Sequence, residues 1–384
     1  MENDLIYLDN NATTPLDERV FDTMLPFFRN LFANANSTHS AGMFTNNKIN
    51  DARQQVADLI NSNPKDVIFT SGATESVNIA LKGLALHPNN SKKHIVTVQT
   101  EHKAVLDTCK HLESLGFEID YLPVNRDGLI NLDDLKQIVR KDYTLVVCIM
   151  WVNNETGVIQ PIKSICTIAH EANALFITDA TQAVGKIETD IVNNEIDAMC
   201  FSPHKFYGPK GVGALYLNRK SSAKNILTLQ HGGGHENGFR SGTLNVPAII
   251  GFGSACELAV EKMRRNEMQI RELRDYLENK LLKISGTFLN GNKKQRLFNT
   301  INICFPNFDA NIFIAKYKNI AVSNGSACTA ALVEPSHVLT AMGLTSEESL
   351  GSLRISLGIK NTKAEIKELI EKIQFECKNG SSLL

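Results

Sequence analysis

The chain reads as an α/β protein: a large domain on a mostly parallel seven-stranded sheet covered by helices, with a smaller α+β domain attached. Two observations carry this expectation. Between Asp66 and Leu217, short β-rich apolar runs alternate with helical segments. Beyond them comes one long helical stretch and then shorter strand-like runs.

The strand candidates are DVIFT (66–70), HIVTVQ (94–99), FEIDYLP (117–123), TLVVCIM (144–150), LFITDA (175–180), AMCFS (198–202) and VGALYL (212–217). Most are nearly continuous in apolar residues, as strands are when crossover helices bury both faces of a sheet. After Thr70, Val77, Ala80, Leu81 and Leu84 fall at i, i+3, i+4 and i+7, one stripe of a helix packed on a sheet. Segments 103–115 and 161–173 read the same way. From Asn245 to Ile284 the helical pattern runs well beyond the ~11 to 12 residues of an average helix, as a connector would. TINICF, ending at Phe305, and SLRISL (352–357) then join helices near 336–343 and 362–378 in the smaller domain. The expected division places 16–255 in the large domain and 1–15 with 256–384 in the small one.

Of the 384 residues, 40 are Lys or Arg and 41 Asp or Glu, a net charge of -1 that offers no global attraction to nucleic acid or anionic membrane. No run of about 18 apolar residues occurs, and Met1, Glu2, Asn3 and Asp4 lack the basic-then-apolar order of a signal peptide. A cytoplasmic protein without a direct nucleic-acid or membrane partner is expected. The eight cysteines form no C-x-x-C pair, which argues against a zinc ribbon or a thioredoxin-type couple. Cys148, Cys166, Cys200, Cys256 and Cys304 lie in mainly apolar stretches and read as small core hydrophobes. Cys328 differs, because its neighbours from Ser323 to Ala330 are small or polar and cannot bury it.

Sheets of this kind bind ligands at the carboxyl ends of their strands, so the loops there are where chemistry is sought. TSGATES (70–76) is a small-residue turn into a helix, suited to a phosphate or, more plainly, to a helix cap by Ser71 or Thr74. A P-loop is excluded by the missing G-K-[ST], and GPKGVG (208–213) is not the dinucleotide fingerprint. Asp179 ends one strand, and Lys205 follows the next by a few residues. Singly, such residues are a turn former and a surface charge. Together with a phosphate cradle they match what a pyridoxal phosphate enzyme needs: a Schiff-base lysine and an acid against the pyridinium nitrogen.

Ten motifs then stand in order: YLDNNATTP (7–15), NANSTHSAG (34–42), FTSGATES (69–76), TEHKAV (100–105), MWVNNETGV (150–158), DATQAVGK (179–186), SPHKFYGPKG (202–211), HGGGHENGFRSGT (231–243), GSACTAALVEPSHVL (325–339) and SLRISLG (352–358). Nearly end to end, the chain resembles the cysteine desulfurases of the NifS/IscS type, fold-type I pyridoxal phosphate enzymes of the class V aminotransferase-like group. The resemblance implies that Lys205 is the Schiff-base lysine, that Asp179 partners the pyridinium, and that Gln182 contacts the ring hydroxyl. Ala73, Thr74, Ser202 and His204 resemble the phosphate cradle, with Thr243 supplied by the other subunit of a homodimer. His102 would stack on the ring and relay protons. Asn154 and Arg354 would hold the substrate carboxylate, a task that suits the planar guanidinium fork.

Cys328 resembles the nucleophile. The implied reaction takes sulfur from L-cysteine, giving L-alanine and a persulfide on Cys328, which passes to an acceptor protein. Iron–sulfur scaffolds, thiolation carriers for tRNA or cofactors, and DNA-backbone sulfur modification all remain open as destinations. The 26 residues from Cys328 to Arg354 match the long-loop class, and a mobile loop over 324–332 is expected. AALV (330–333) departs from the family pattern after the nucleophile, and no extended tail for docking an iron–sulfur scaffold is expected before Leu384. The alternatives on this scaffold are a selenocysteine lyase or another class V enzyme. An esterase is disfavoured because HGGG (231–234) has no G-x-S-x-G partner. A sulfur-carrying scaffold without activity would not need both Lys205 and Cys328.

Overall fold

The computed structural model describes residues 5–221, 225–325 and 334–379. Among these, twelve strands occur: β1 (Ile6–Tyr7), β2 (Val67–Thr70), β3 (His94–Val98), β4 (Glu118–Leu122), β5 (Thr144–Cys148), β6 (Leu175–Asp179), β7 (Ala198–Phe201), β8 (Gly213–Leu217), β9 (Phe288–Leu289), β10 (Thr300–Cys304), β11 (Ile320–Ala321) and β12 (Ser352–Ser356). All seven expected strands of the large sheet are present, in the order β2-β8-β7-β6-β5-β3-β4. Only β8 runs against its neighbours, pairing antiparallel with both β2 and β7. The cause is local. Residues 202–212 hold a single 3-10 turn, Pro203–Lys205, and no crossover helix, so the chain turns straight back into the sheet. The close fit at the start of β8 requires glycine, since a Cβ on Gly213 would stand 2.6 Å from the Cα of Gly72.

Alternate strand residues sort to opposite faces, as the two-residue repeat of a strand dictates. Ile68, Ile95, Val146, Ile177 and Leu215 pack with Val77, Leu81 and Leu84 of the helix Ala73–Ala85 and with Cys109 and Leu112 of the helix Lys103–Glu113. Phe69, Val96, Val147, Phe176 and Phe201 pack on the other face with Ile165, Val56 and Phe252, from the helices Ile162–Glu171, Ser40–Leu59 and Val246–Leu281. This second cluster continues into Leu281, Ile303 and Ile355, so the long helix ties both parts of the molecule into one core. The helix begins where expected, at Asn245, whose side chain accepts the Ala248 N–H. The position 255/256 falls inside it.

β9, β10 and β12 form an antiparallel sheet in which Arg354 lies opposite Asn302. The N-terminal arm joins this part: β1 pairs in parallel with β11, and Asp9 bridges to Ser356. Cys148, Cys166, Cys200, Cys256 and Cys304 are all buried, and burial pushes their thiols well up from the ordinary range. Among the described residues no helix is long and apolar enough to cross a membrane.

Candidate active site

The carboxyl ends of the central strands open into a cavity of about 770 Å³, which residues of the N-terminal arm and Arg354 of β12 also line. Lys205, His102, Asp179, Gln182, Ser202 and His204 line it, as do Ala73, Thr74, Asn154 and Arg354. Residues spread over most of the sequence therefore meet where the sheet topology places a ligand.

Lys205 ends the short turn after β7. Its Nζ donates to two backbone carbonyls of the N-terminal arm, Asn11 at 2.8 Å and Ala12 at 2.6 Å. Burial lowers its pKa to about 8, with the nearby Arg354 charge acting in the same direction against Asp179 and Asp9. The same burial, with Lys205, Lys210 and Lys186 near it, holds His204 down at about 4, so its imidazole is neutral near pH 7. His204 Nδ1 lies 3.1 Å from Thr13 Oγ1.

Asp179 closes β6 and accepts the Thr181 N–H at 2.9 Å. Gln182 is buried behind it, donating to the Asn11 carbonyl at 2.8 Å and accepting from Lys186 Nζ at 2.7 Å. Lys186 is buried and its charged form is strongly disfavoured, first by desolvation. The helix at Ala73 opens differently from the sequence expectation. Gly72 is its N-cap, with no side-chain cap from Ser71 or Thr74. Ser202, arriving from the end of β7, places its Oγ 2.7 Å from the Ala73 N–H. Small residues let the strand end and helix start converge, leaving N–H groups and a hydroxyl at the cavity floor, a suitable anion cradle. His102 caps the helix Lys103–Glu113, accepting the Ala104 N–H through Nδ1 at 3.1 Å.

Arg354 is 7 % exposed. Its Nη2 pairs with Asp9 at 2.7 Å and its Nη1 donates to the Asn154 carbonyl at 3.2 Å, while Nε is buried with no hydrogen-bond partner. A guanidinium fixed on two sides and unsatisfied on a third retains a donor to offer a ligand.

Cys328 lies outside the described residues, as does most of the 324–332 stretch for which mobility is expected. Thr243 is exposed and borders a separate cavity of about 320 Å³ with Phe28, Phe32, Asn36 and His235. Asp9, Asn11 and Glu155 are cavity residues to which sequence reasoning assigned no role. Each sits inside a quoted motif, YLDNNATTP or MWVNNETGV, and the signal was the cluster of polar residues immediately after a strand-like run.

Comparison with known proteins agrees with this arrangement. Residues 6–369 match the model of the aminotransferase class-V family. The cysteine desulfurase IscS of Dechloromonas aromatica is 45% identical over 368 residues, covering 95% of this chain and 90% of its own. Among solved structures, a NifS-like protein superposes with a TM-score of 0.90 at 38% identity, covering 97% of this chain and 99% of that one. SspA, solved in complex with cysteine, superposes with a TM-score of 0.82 at 36% identity, over 93% of this chain and 100% of its own. The chain thus belongs to the aminotransferase class-V family, among its cysteine desulfurases.

Proposed function

We propose that the protein is a pyridoxal 5'-phosphate enzyme that takes the sulfur of L-cysteine, releases L-alanine and carries the sulfur as a persulfide on Cys328. The observation that carries this reading is the meeting of Lys205, Asp179 and Arg354 in one cavity. The residues fit the cofactor. An amine with a depressed pKa stands beside a strand-end carboxylate, a helix start whose N-cap is glycine faces the cavity with Ser202, and Thr181 keeps a buried hydroxyl without a partner. When bound, the cofactor supplies an electron sink for the bonds around the substrate Cα.

In this reading Ala73, Thr74, Ser202 and His204 hold the phosphate, Asp179 the ring nitrogen and Gln182 the ring hydroxyl, while His102 covers the ring face and moves protons. Lys205 Nζ binds the cofactor and then exchanges the substrate Cα proton. Arg354 Nε and Asn154 orient the carboxylate, which fixes the cysteine sulfur on one side of the cavity. The Cys328 thiolate attacks that sulfur, forming an S–S bond as the substrate C–S bond breaks. Cysteine plus thiol gives alanine plus persulfide, with no external oxidant. An acceptor protein, such as an iron–sulfur scaffold or a thiolation carrier, then removes the outer sulfur. A cytoplasmic setting suits a transfer that requires a reduced thiol.

Incubation of the holoenzyme with L-cysteine should yield alanine and protein persulfide in equal first-turnover amounts. A keto acid without persulfide would indicate transamination and overturn the reading.

The active form is a homodimer in this reading. Phe28 and Phe32 are 61% and 79% exposed, with Phe44 and Met43 close by in sequence, and Phe28 and Phe32 border the Thr243 cavity. Large apolar side chains in such a cluster are covered in a stable protein, and a second copy carrying its own Thr243 toward this molecule's cofactor is the occupant we propose. Thr243→Ala should weaken cofactor retention on dialysis by about tenfold, the scale of one lost hydrogen bond to a charged group. A fully active monomer by light scattering would exclude this arrangement.

A further inference from the structure

Glu155 follows β5 in the cavity wall and is only 2 % exposed. Its backbone is fixed, the N–H donating to Asn153 Oδ1 at 2.9 Å and the carbonyl accepting from Asn302 Nδ2 of β10 at 3.3 Å. Its carboxylate meets two separate pieces of chain. Ser336 donates its hydroxyl to Oε2 at 2.5 Å, while the Ser336 Oγ itself accepts the Leu339 N–H at 3.2 Å and so caps the helix His337–Ala341. Gly325 presses on Oε2 from another direction. A Cβ there would stand 2.4 Å from it, and the φ of +83° independently favours glycine. Gly325 immediately precedes the stretch 326–333 that contains Cys328, and Ser336 follows it after Glu334 and Pro335.

We infer that Glu155 is a positioning residue whose ionised carboxylate fastens Gly325 and Ser336 to the cavity wall, fixing the residues that flank the stretch containing Cys328. This rests on the desulfurase reading, to which it adds a residue that acts through the nucleophile's anchorage and not on the substrate.

The electrostatics are consistent with such a role. Burial pushes the Glu155 carboxyl up to about 7, against the Ser336 hydroxyl and the charges of Arg354 on β12 and Lys103 on the helix Lys103–Glu113. Asp9 is ion-paired with that same Arg354, and His337, next to Ser336, holds its Nε2 3.0 Å from the Glu101 carbonyl. Ionised, Glu155 accepts a charge-assisted hydrogen bond; protonated, it offers a weaker neutral one. The anchor is therefore firm above about pH 7 and loosens as pH falls through that value. The stability sign is opposite. A raised carboxyl pKa means that the ionised form costs folding stability, so a neutral isostere should do better than the wild type above pH 7.

The test is single-turnover persulfide formation by the holoenzyme between pH 5.5 and 8.5, with thermal midpoints over the same range. The wild-type rate should fall about tenfold on the acid side. Ser336→Ala removes a hydrogen bond to the ionised form and should move that limb to higher pH. Glu155→Gln should erase the limb and lower kcat about tenfold at pH 8 while KM for L-cysteine stays near wild type. Its thermal midpoint should equal or exceed the wild type at pH 8, a readout independent of activity. Retention of the acid limb in Glu155→Gln, or an unmoved limb in Ser336→Ala, would overturn the inference. A wild type that makes no persulfide on Cys328 would instead remove the desulfurase reading, and the thermal comparison would still report on Glu155.

Discussion

Lys205→Ala should abolish L-cysteine turnover, a loss on the order of 10⁴-fold or more, because it removes the group that binds the cofactor covalently and exchanges the Cα proton. Borohydride reduction followed by peptide mapping should place the label on Lys205. Lys186 and Lys210 are the rivals. Lys186 is buried with its Nζ on Gln182, and Lys210 borders the cavity without the Asn11 and Ala12 contacts of Lys205. Label on either would overturn the assignment. The depressed pKa adds a pH signature. At pH 7 a lysine with a pKa of about 8 is roughly one-tenth neutral amine, against about one in three thousand for an ordinary lysine. Cofactor uptake by apoprotein should therefore rise toward pH 8 and level off above it, whereas an unperturbed lysine would keep rising past pH 9.

Cys328→Ser should keep the cofactor spectrum and L-cysteine binding yet lose persulfide and nearly all alanine formation, roughly a 10³-fold effect or greater. A hydroxyl is a far weaker nucleophile than a thiolate and cannot take up sulfur as a persulfide. Cys200→Ser is the control. Cys200 is buried on β7 with its thiol pushed well up, so its replacement should lower the thermal midpoint and leave per-molecule activity intact. Full turnover in Cys328→Ser would remove that residue from the mechanism.

The large sheet was legible because each of its strands is a compact run of apolar residues, and the helices over it carry clear stripes such as Val77, Ala80, Leu81 and Leu84. The reversed direction of β8 was not, since direction depends on what residues 202–212 fail to form. β1, β9 and β11 are two residues each, too short for any periodicity to show. Of the site, the strand-end residues Asp179 and Lys205 were readable because parallel sheets concentrate chemistry there. The rest required the resemblance to known motifs. Glu155 was marked only as part of a polar cluster after a strand-like run; its role escaped because it lies in contacts with Gly325 and Ser336, far along the chain. The expected cap by Ser71 or Thr74 failed because Ser202, remote in sequence, takes the Ala73 N–H.

The anchoring of Lys205 has a consequence for biogenesis. Its amine is held by the carbonyls of Asn11 and Ala12, and Asn11 is itself fixed by the hydroxyls of Thr300 and Ser356. The arm thus depends for its placement on strands made several hundred residues after it. At ~5 to 20 residues per second, the interval between residues 11 and 356 is about 20 to 70 s. For the last part of it, about 8 to 30 s while the chain from Lys205 to Ser356 is made, the lysine and the arm that grips it coexist without their common support. Loading with cofactor belongs to the finished chain, and a nascent polypeptide halted before β12 should display Lys205 as an ordinary, unselective amine.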